Sequence, residues 1–407
     1  MRSQRISFFT VLFLEFLDYT GISLVYPLFA YMLFDPSLHF LPSSTSDEIR
    51  GLWLGILIAL HPLLQFVCAP IFGALSDQKG RKKLLQTTMV LGFFGYLIAC
   101  LACLLQSLLL LALFRICVGI AAGNCSVVSA VVADLSHPQN KAKNYGLLNM
   151  AFGAGFTLGP CLSGLLASHI HLAAPFLAAL FFVALNWILV TWKLQETHPL
   201  FTEGKVGLFA SLAQIKRAAL MKELRFLFLA LLIFSFGWSF FTEFASLFLI
   251  ERFQFNPDEI GFYYAYNGFF YAFSAGILIT PFIRWLKIER ILFISMLLSG
   301  ICLCCFVWVK HPNFLWIYLP VLQFFLAFVY PSICTGISNR VSEKRQGEVM
   351  GMYQGVIALA LWISPFCGGI FAGKTPTLVI VVSAFLMILA AVAHLCLKDK
   401  ATVLDAD

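Results

Sequence analysis

Charge is what this chain lacks. Asp, Glu, Lys and Arg make up 12% of its 407 residues, against roughly a quarter in soluble proteins, and 60% of the residues are hydrophobic. That scarcity excludes an ordinary soluble globular protein, which needs a charged surface to stay in water. The sequence carries no glycine-rich nucleotide loop, no cluster of His, Cys, Asp and Glu at metal-ligand spacing and no soluble domain of useful size. An enzyme, a metal and an organic cofactor are therefore not expected. The 12 cysteines fall almost wholly inside apolar runs, as with Cys100, Cys103, Cys302, Cys304 and Cys305. There a thiol packs as a small apolar group, and no disulfide framework follows. Arg2 and Arg5 precede an apolar run that is too long for a signal peptide and lacks a small-residue cleavage site, so it is expected to be kept as a first helix. No lipidation or retrieval motif is seen at either end.

What is present is a series of long apolar runs. Weakly charged spans of membrane-crossing length fall at 7–33, 51–75, 84–105, 107–133, 144–168, 172–193, 225–250, 260–283, 290–309, 314–338, 348–373 and 376–397,. The expected fold is an all-α membrane protein of 12 transmembrane helices. Net charge is +7, and its distribution decides what that means. On one side of the bilayer stand only Arg50, Arg252, Lys310 and Lys374; Arg115 lies within a span, and the other Lys and Arg lie opposite. This asymmetry predicts both termini in the cytoplasm, and it sets topology without a nucleic-acid partner.

The longest break in the apolar pattern, 194–224, contains a basic amphipathic stretch and divides the chain into 1–193 and 225–407, six spans each. A shift of 205 residues superposes Gly146, Asn149, Pro160 and Gly164 on Gly351, Gln354, Pro365 and Gly369. Two parallel repeats of one six-helix unit would place them so, in the fifth and eleventh spans.

Between the second and third spans lies GALSDQKGRKK. It resembles the loop motif of the major facilitator superfamily at Gly73, Leu75, Asp77, Gly80, Arg81, Lys82 and Lys83. A weakened copy without the acid, GILITPFIRWLKIER, occupies the matching place in the second half, Gly276 to Arg290. The fourth span, with Arg115, Gly119, Gly123 and Asp134, resembles that of the drug/proton antiporter branch. GAGFTLGPCLSGLL resembles the branch's helix-five motif at Gly155, Gly159, Pro160 and Gly164, with Ser163 in place of one glycine. LDYTGISLVYP, Leu17 to Pro27, is similar to the first helix of tetracycline/proton antiporters, and SNRVSEKRQGEVMG resembles their loop before helix eleven. The resemblance implies two six-helix halves with a cavity between them and transport by alternating access. It further implies a latch in which Asp77 meets the start of helix eleven near Gly347, where a helix N-terminus favours negative charge, while Arg81 reaches Asp134. The helix-five motif is expected, by resemblance, to meet a helix of the other half during that cycle.

Charges inside the spans need a reason, since each costs at least about 2.5 kcal/mol at mid-bilayer. Glu15 and Asp18 are three residues apart and share a helix face. Two such carboxylates, with Arg115 as the buried cation, form a candidate proton-coupling group, or else an ion pair that only ties helices one and four together. After Arg115, the small residues Gly119, Gly123, Ser126, Ala130 and Ala133 form a stripe that either packs tightly on a neighbour or borders a water-filled path. Glu243 in the seventh span is either a contact for a cationic or amine-bearing substrate or a solvated acid at a cavity mouth. His61 before Pro62 is a candidate cavity residue, either a proton carrier or, more commonly for such a residue, a polar group satisfied at a kink. Gln65, Asn149, Asn267, Gln323 and Gln354 are candidate cavity residues, each equally able to hold helices together. The expected function is proton-coupled antiport that exports a small organic molecule. Import or facilitated diffusion of an amino acid, sugar or siderophore is the alternative, and a transporter-like receptor is the rival of another class. The expected partners are a small-molecule substrate and the lipid bilayer, with no obligate protein partner, and the expected place is a bacterial inner membrane.

Overall fold

A computed structural model of the chain describes residues 2–25, 27–137, 140–197, 210–221, 224–278, 287–338, 340–341 and 346–404. Every regular element among them is helical. In order they are α1 (Arg2–Val25), α2 (Leu28–Phe34), α3 (Asp47–Lys79), α4 (Arg81–Leu105), α5 (Leu108–Ala121), α6 (Cys125–Asp134), α7 (Lys141–His169), α8 (Ala174–Lys193), α9 (Ala210–Leu220), α10 (Arg225–Phe253), α11 (Pro257–Phe273), α12 (Ile288–Phe306), α13 (Asn313–Ser338), α14 (Gln346–Ala372) and α15 (Pro376–Leu404). Among the described residues, eleven helices are long and apolar enough to cross a membrane. The eighth expected span appears as α11 with a π turn at Ser274–Leu278, and 279–286, most of the second loop motif, lie outside the described residues. The linker at 198–209 and the stretch 342–345 before α14 also lie outside them.

The expected spans and the helices differ in instructive places. The first span breaks at Pro27 into α1 and α2. The fourth is interrupted by a 3₁₀ turn, Ala122–Asn124, between α5 and α6. By contrast α3 runs unbroken through Pro62 and Pro70, and α7 through Pro160. Proline disrupts helices in water, but in lipid neighbouring helices and local adjustments re-satisfy the freed backbone groups.

Compactness divides the chain near residue 210 into one unit of 1–45, 60–210 and 255–268 and another of 46–59, 211–254 and 269–407. The start of α3 thus belongs with the second unit, and the start of α11 with the first. In the first unit, α1 packs on α7 and α8, and α4 on α5 and α8. Its centre is Phe114, set between the Tyr96 and Phe176 rings at 5.4 and 5.6 Å. In the second, α10 packs on α14 and α15, and α12 on α13 and α15; there Phe306 touches Phe241, Phe248 and Tyr318. Such ring pairs add about 0.5–1.5 kcal/mol each beyond their buried area.

The exchanged helix ends are held by glycines. In the first unit a Cβ on Gly164 would stand 2.5 Å from Pro257 O, and one on Gly261 would collide with Pro160 O. In the second, a Cβ on Gly369 would stand 2.7 Å from Gly51 O, and one on Gly55 would collide with Pro365 O. Pro160 and Gly164 therefore do in α7 what their repeat-related counterparts Pro365 and Gly369 do in α14. Each pair receives the first turns of a helix from the other half of the sequence. Gly155 and Gly159 have a different partner: they pack on Phe16, Thr20 and Ser23 of α1 in their own half, and Ser23 Oγ donates to Gly155 O at 3.1 Å. Ser163 is fully buried, and its hydroxyl has no partner among the described atoms.

Candidate functional site

The polar residues of the first unit collect around the middle of α1. Glu15 is buried, 7% exposed, and Asp18 lies within its electrostatic reach. Asn124, placed by the 3₁₀ turn, hydrogen-bonds the Asp18 carboxylate. One position further along, Tyr19 shares a hydrogen bond with Gln65 of α3, which also bonds Cys125. The break in helix four therefore has a local result, since it brings Asn124 and Cys125 to the face of α1 that carries the acids.

Arg115 is 2% exposed and lies over the Phe29 ring, 5.1 Å from its centroid. Tyr96 interacts with both Asp18 and Arg115, and His61 senses the Arg115 charge. His61 is buried, with Nδ1 unpartnered among the described atoms. The small-residue stripe resolves to packing. A Cβ on Gly119 would stand 3.0 Å from His61 Cα, one on Gly123 would meet Cys68 at 2.8 Å, and Ser126 Oγ donates to Ala69 O at 2.6 Å. The stripe seats α5 and α6 on α3, and so fixes His61 and Gln65 beside the acid pair.

The other candidates scatter. Asn267 belongs to the first unit and donates to Tyr263 O in its own helix at 2.9 Å. Gln323 is buried in the second unit, while the repeat-related Asn149 and Gln354 are both exposed. Glu243 is 5% exposed, and its Oε2 has no donor among the described atoms. That burial removes the solvated-acid alternative for Glu243.

At the other end of α3, Gly80 adopts φ +93° and links α3 to α4. Arg81 is 7% exposed. Its Nη1 pairs with Asp77 Oδ1 at 2.6 Å and also donates to Ser76 Oγ, and its Nε reaches Asp134 Oδ2 at 3.2 Å. Glu196, which belongs to no motif, completes this corner. Its carboxylate accepts from the backbone N–H of Arg81 at 2.9 Å and of Lys82 at 3.2 Å, so it caps α4 from 114 residues away. Thr197 Oγ1 donates to Asp134 at 3.1 Å, and Lys82 Nζ to Thr191 O at 2.8 Å. The motif loop is thus tied to the end of α8. Glu196→Ala should weaken the fold by about 1 kcal/mol through loss of the cap, read as a lower thermal midpoint of the purified protein. An unchanged midpoint would remove the capping role. Gly80→Ala should do more harm, because φ +93° is strained for alanine and its Cβ would stand 2.6 Å from Glu196 Oε2,.

Comparison with known proteins extends these observations. The Major Facilitator Superfamily model matches residues 9–326 and 289–404. Tetracycline resistance protein, class C, of Escherichia coli is 28% identical over 359 residues, covering 86% of this chain and 85% of its own. Quinolone resistance protein NorA of Staphylococcus aureus is 26% identical over 370 residues, covering 89% and 88%. Among solved structures, the human organic anion transporter MFSD10 (TETRAN) superposes with a TM-score of 0.71 at 22% identity, over 96% of this chain and 99% of its own. A D-xylose-proton symporter superposes with a TM-score of 0.77 at 14% identity, over 96% and 97%.

Proposed function

The chain belongs to the major facilitator superfamily, and from that premise we propose that it is a proton-driven antiporter exporting a small organic molecule. It is an integral multi-pass membrane transporter, not an enzyme. The observation that carries the finer reading is the pair on α1 of Glu15, buried, and Asp18, half-buried, with Arg115 buried in the same unit and Tyr96 within electrostatic reach of both Asp18 and Arg115. A proton carried on a carboxylate in that setting, released when a bound compound or a shift of Arg115 changes its surroundings, is the elementary step of coupling. Proton and substrate need not touch each other. Reciprocal binding requires only that each favours a different arrangement of the same helices.

The relatives named for tetracycline and quinolone resistance suggest where to begin with substrates: compact, partly aromatic compounds with a basic nitrogen. Glu243 would meet such a cation. The lysine and arginine asymmetry supports cytoplasmic termini and, with these relatives, a bacterial inner membrane. The ion pairs around Arg81 support the gating role of the Gly80 turn, with Asp77, held here by Arg81 and partly exposed, turning to the start of α14 when that end closes.

Reconstituted protein under an imposed pH gradient, challenged with labelled tetracyclines and quinolones, tests the reading. Gradient-driven flux should fall about tenfold or more in Asp18→Asn and in Arg115→Ala, since a coupling of 1–3 kcal/mol is lost, while exchange without a gradient should survive better in Asp18→Asn. Flux that ignores both the gradient and the substitutions would overturn proton coupling at this site. Uphill uptake toward the linker side would reverse the direction.

A further inference from the structure

Asp18, Asn124, Asn186, Tyr96, Thr88 and Met89 face one cavity inside the first unit, with a volume of about 20 Å³. A cavity needs roughly 10–15 Å³ open to the centre of a water-sized sphere to hold one water, so the space admits one water and excludes an organic molecule. Asn186 of α8 is 1% exposed. Its Nδ2 donates to Leu14 O of α1 at 3.1 Å, which fixes the amide orientation, because the flipped form would set two carbonyl-type oxygens against each other. Leu14 is not in the cavity lining, so what Asn186 offers to the cavity is Oδ1, which has no donor among the described atoms. Asp18 also presents acceptors. Two acceptors facing one small space call for a ligand that donates twice. A metal cation would need oxygens on every side, whereas Ile22, Met89, Val118 and Val183 make much of this wall apolar,.

We propose that this cavity binds one water, which donates one hydrogen to Asn186 Oδ1 and one to the Asp18 carboxylate, and that Asn186 is thereby a positioning residue for Asp18. A buried amide left without a donor is costly, and the bridge satisfies it while fixing the carboxylate relative to α8. The water site stands on geometry alone; its role in transport rests on the reading of Asp18 as the proton-carrying group.

Radiolytic hydroxyl-radical labelling tests the site without a known substrate, because radicals born from a bound water oxidise the side chains beside it. Met89 and Tyr96, 4% and 2% exposed, should be labelled despite burial. Asn186→Leu fills the space and removes the acceptor, so labelling should fall about fivefold or more; Asn186→Ala leaves room for a second water in place of the amide and should keep it. Gly92→Ala is the second probe. Its methyl would meet only Ala121 and Val183, at an ordinary 3.8 Å, and it shrinks the cavity without touching a polar group, so labelling should fall there too. Unlabelled Met89 and Tyr96 in the unaltered protein, or equal labelling in all variants, would overturn the water site. Labelling lost when sodium replaces choline would overturn it in favour of a cation. For the positioning role, gradient-driven flux should drop in Asn186→Leu and recover in Asn186→Ala; both lose the Leu14 bond, so a merely structural role would affect them alike. Equal flux in the two variants would sink that role, whereas the coupling reading itself is decided separately by Asp18→Asn.

Discussion

Valine at Gly369 or Gly164 should cut transport about tenfold or more while the protein still reaches the membrane in normal amount. At Gly369 the atoms nearest an added Cβ are Gly51 O at 2.7 Å and Gly55 Cα at 2.8 Å; at Gly164 they are Pro257 O at 2.5 Å and Asp258 Cα at 2.7 Å. All four are backbone, so no rotamer change relieves the clash and the crossing must widen. Overpacking of this kind costs about 1–3 kcal/mol, and that energy falls on the one arrangement in which the crossing is closed. In the proposed antiport cycle that arrangement is visited once per turnover, so the shift appears as lost transport. Gly146, Gly153 and Gly351 would meet nothing within 4 Å, and alanine there should leave transport as it was. These three controls separate a specific crossing from a general dislike of larger residues. Wild-type transport in Gly369→Val would refute the crossing as a moving contact.

Arg81→Ala should be nearly as damaging. Arg81 is buried and serves two carboxylates, of which Asp134 is 23% exposed and Asp77 40%. Removing it leaves Asp134 facing Thr197 Oγ1 alone among the contacts described above, and an uncompensated, partly buried charge costs about 1–3 kcal/mol. Turnover should fall about tenfold, with a clear loss in the detergent-solubilised thermal midpoint. Arg81→Lys should not rescue it, because an ammonium cannot reproduce the fork that reaches Asp77 and Asp134 from different nitrogens. Rescue by lysine would mean that the positive charge alone matters. Asp77→Asn should impair turnover more than expression, since the exposed Asp77 contributes little to the fold; normal turnover would remove the acid from the gating step.

Much of this was legible in the sequence because it is local. Apolar runs of fixed length give helices, whereas the Arg81 link between Asp77 and Asp134, which spans 53 residues, followed only from the motif's resemblance to a known family. The shift of 205 residues marked Pro160 with Pro365 and Gly164 with Gly369 before their common task was known. Their targets were also written in the chain. Gly51 and Gly55 are four apart, as are Gly369 and Gly373, and that spacing marks close helix approach; what it does not give is which helix meets which. Long-range partners were illegible for the same reason. Nothing near Glu196 announces that its carboxylate caps a helix beginning at Arg81, and Asn186 reads as one polar residue in an apolar helix until Leu14 and Asp18 are brought beside it. The break at Ala122–Asn124 was hidden because Gly119 and Gly123 suit a continuous helix as well as an interrupted one.

The two ends of α3 are fastened by different physics, and this gives the molecule two separate handles. At the Gly80 end the fastening is ionic and partly wet, so added salt weakens it. At the Gly51 end it is backbone laid on backbone. Salt has almost nothing there to screen, for the Lys374–Glu48 pair close by is mostly exposed and contributes little,. Hydrostatic pressure and bilayer thickness, which act on packing and helix tilt, should address that end instead. Ionic strength and membrane mechanics would then tune opposite ends of one rod, each nearly blind to the other.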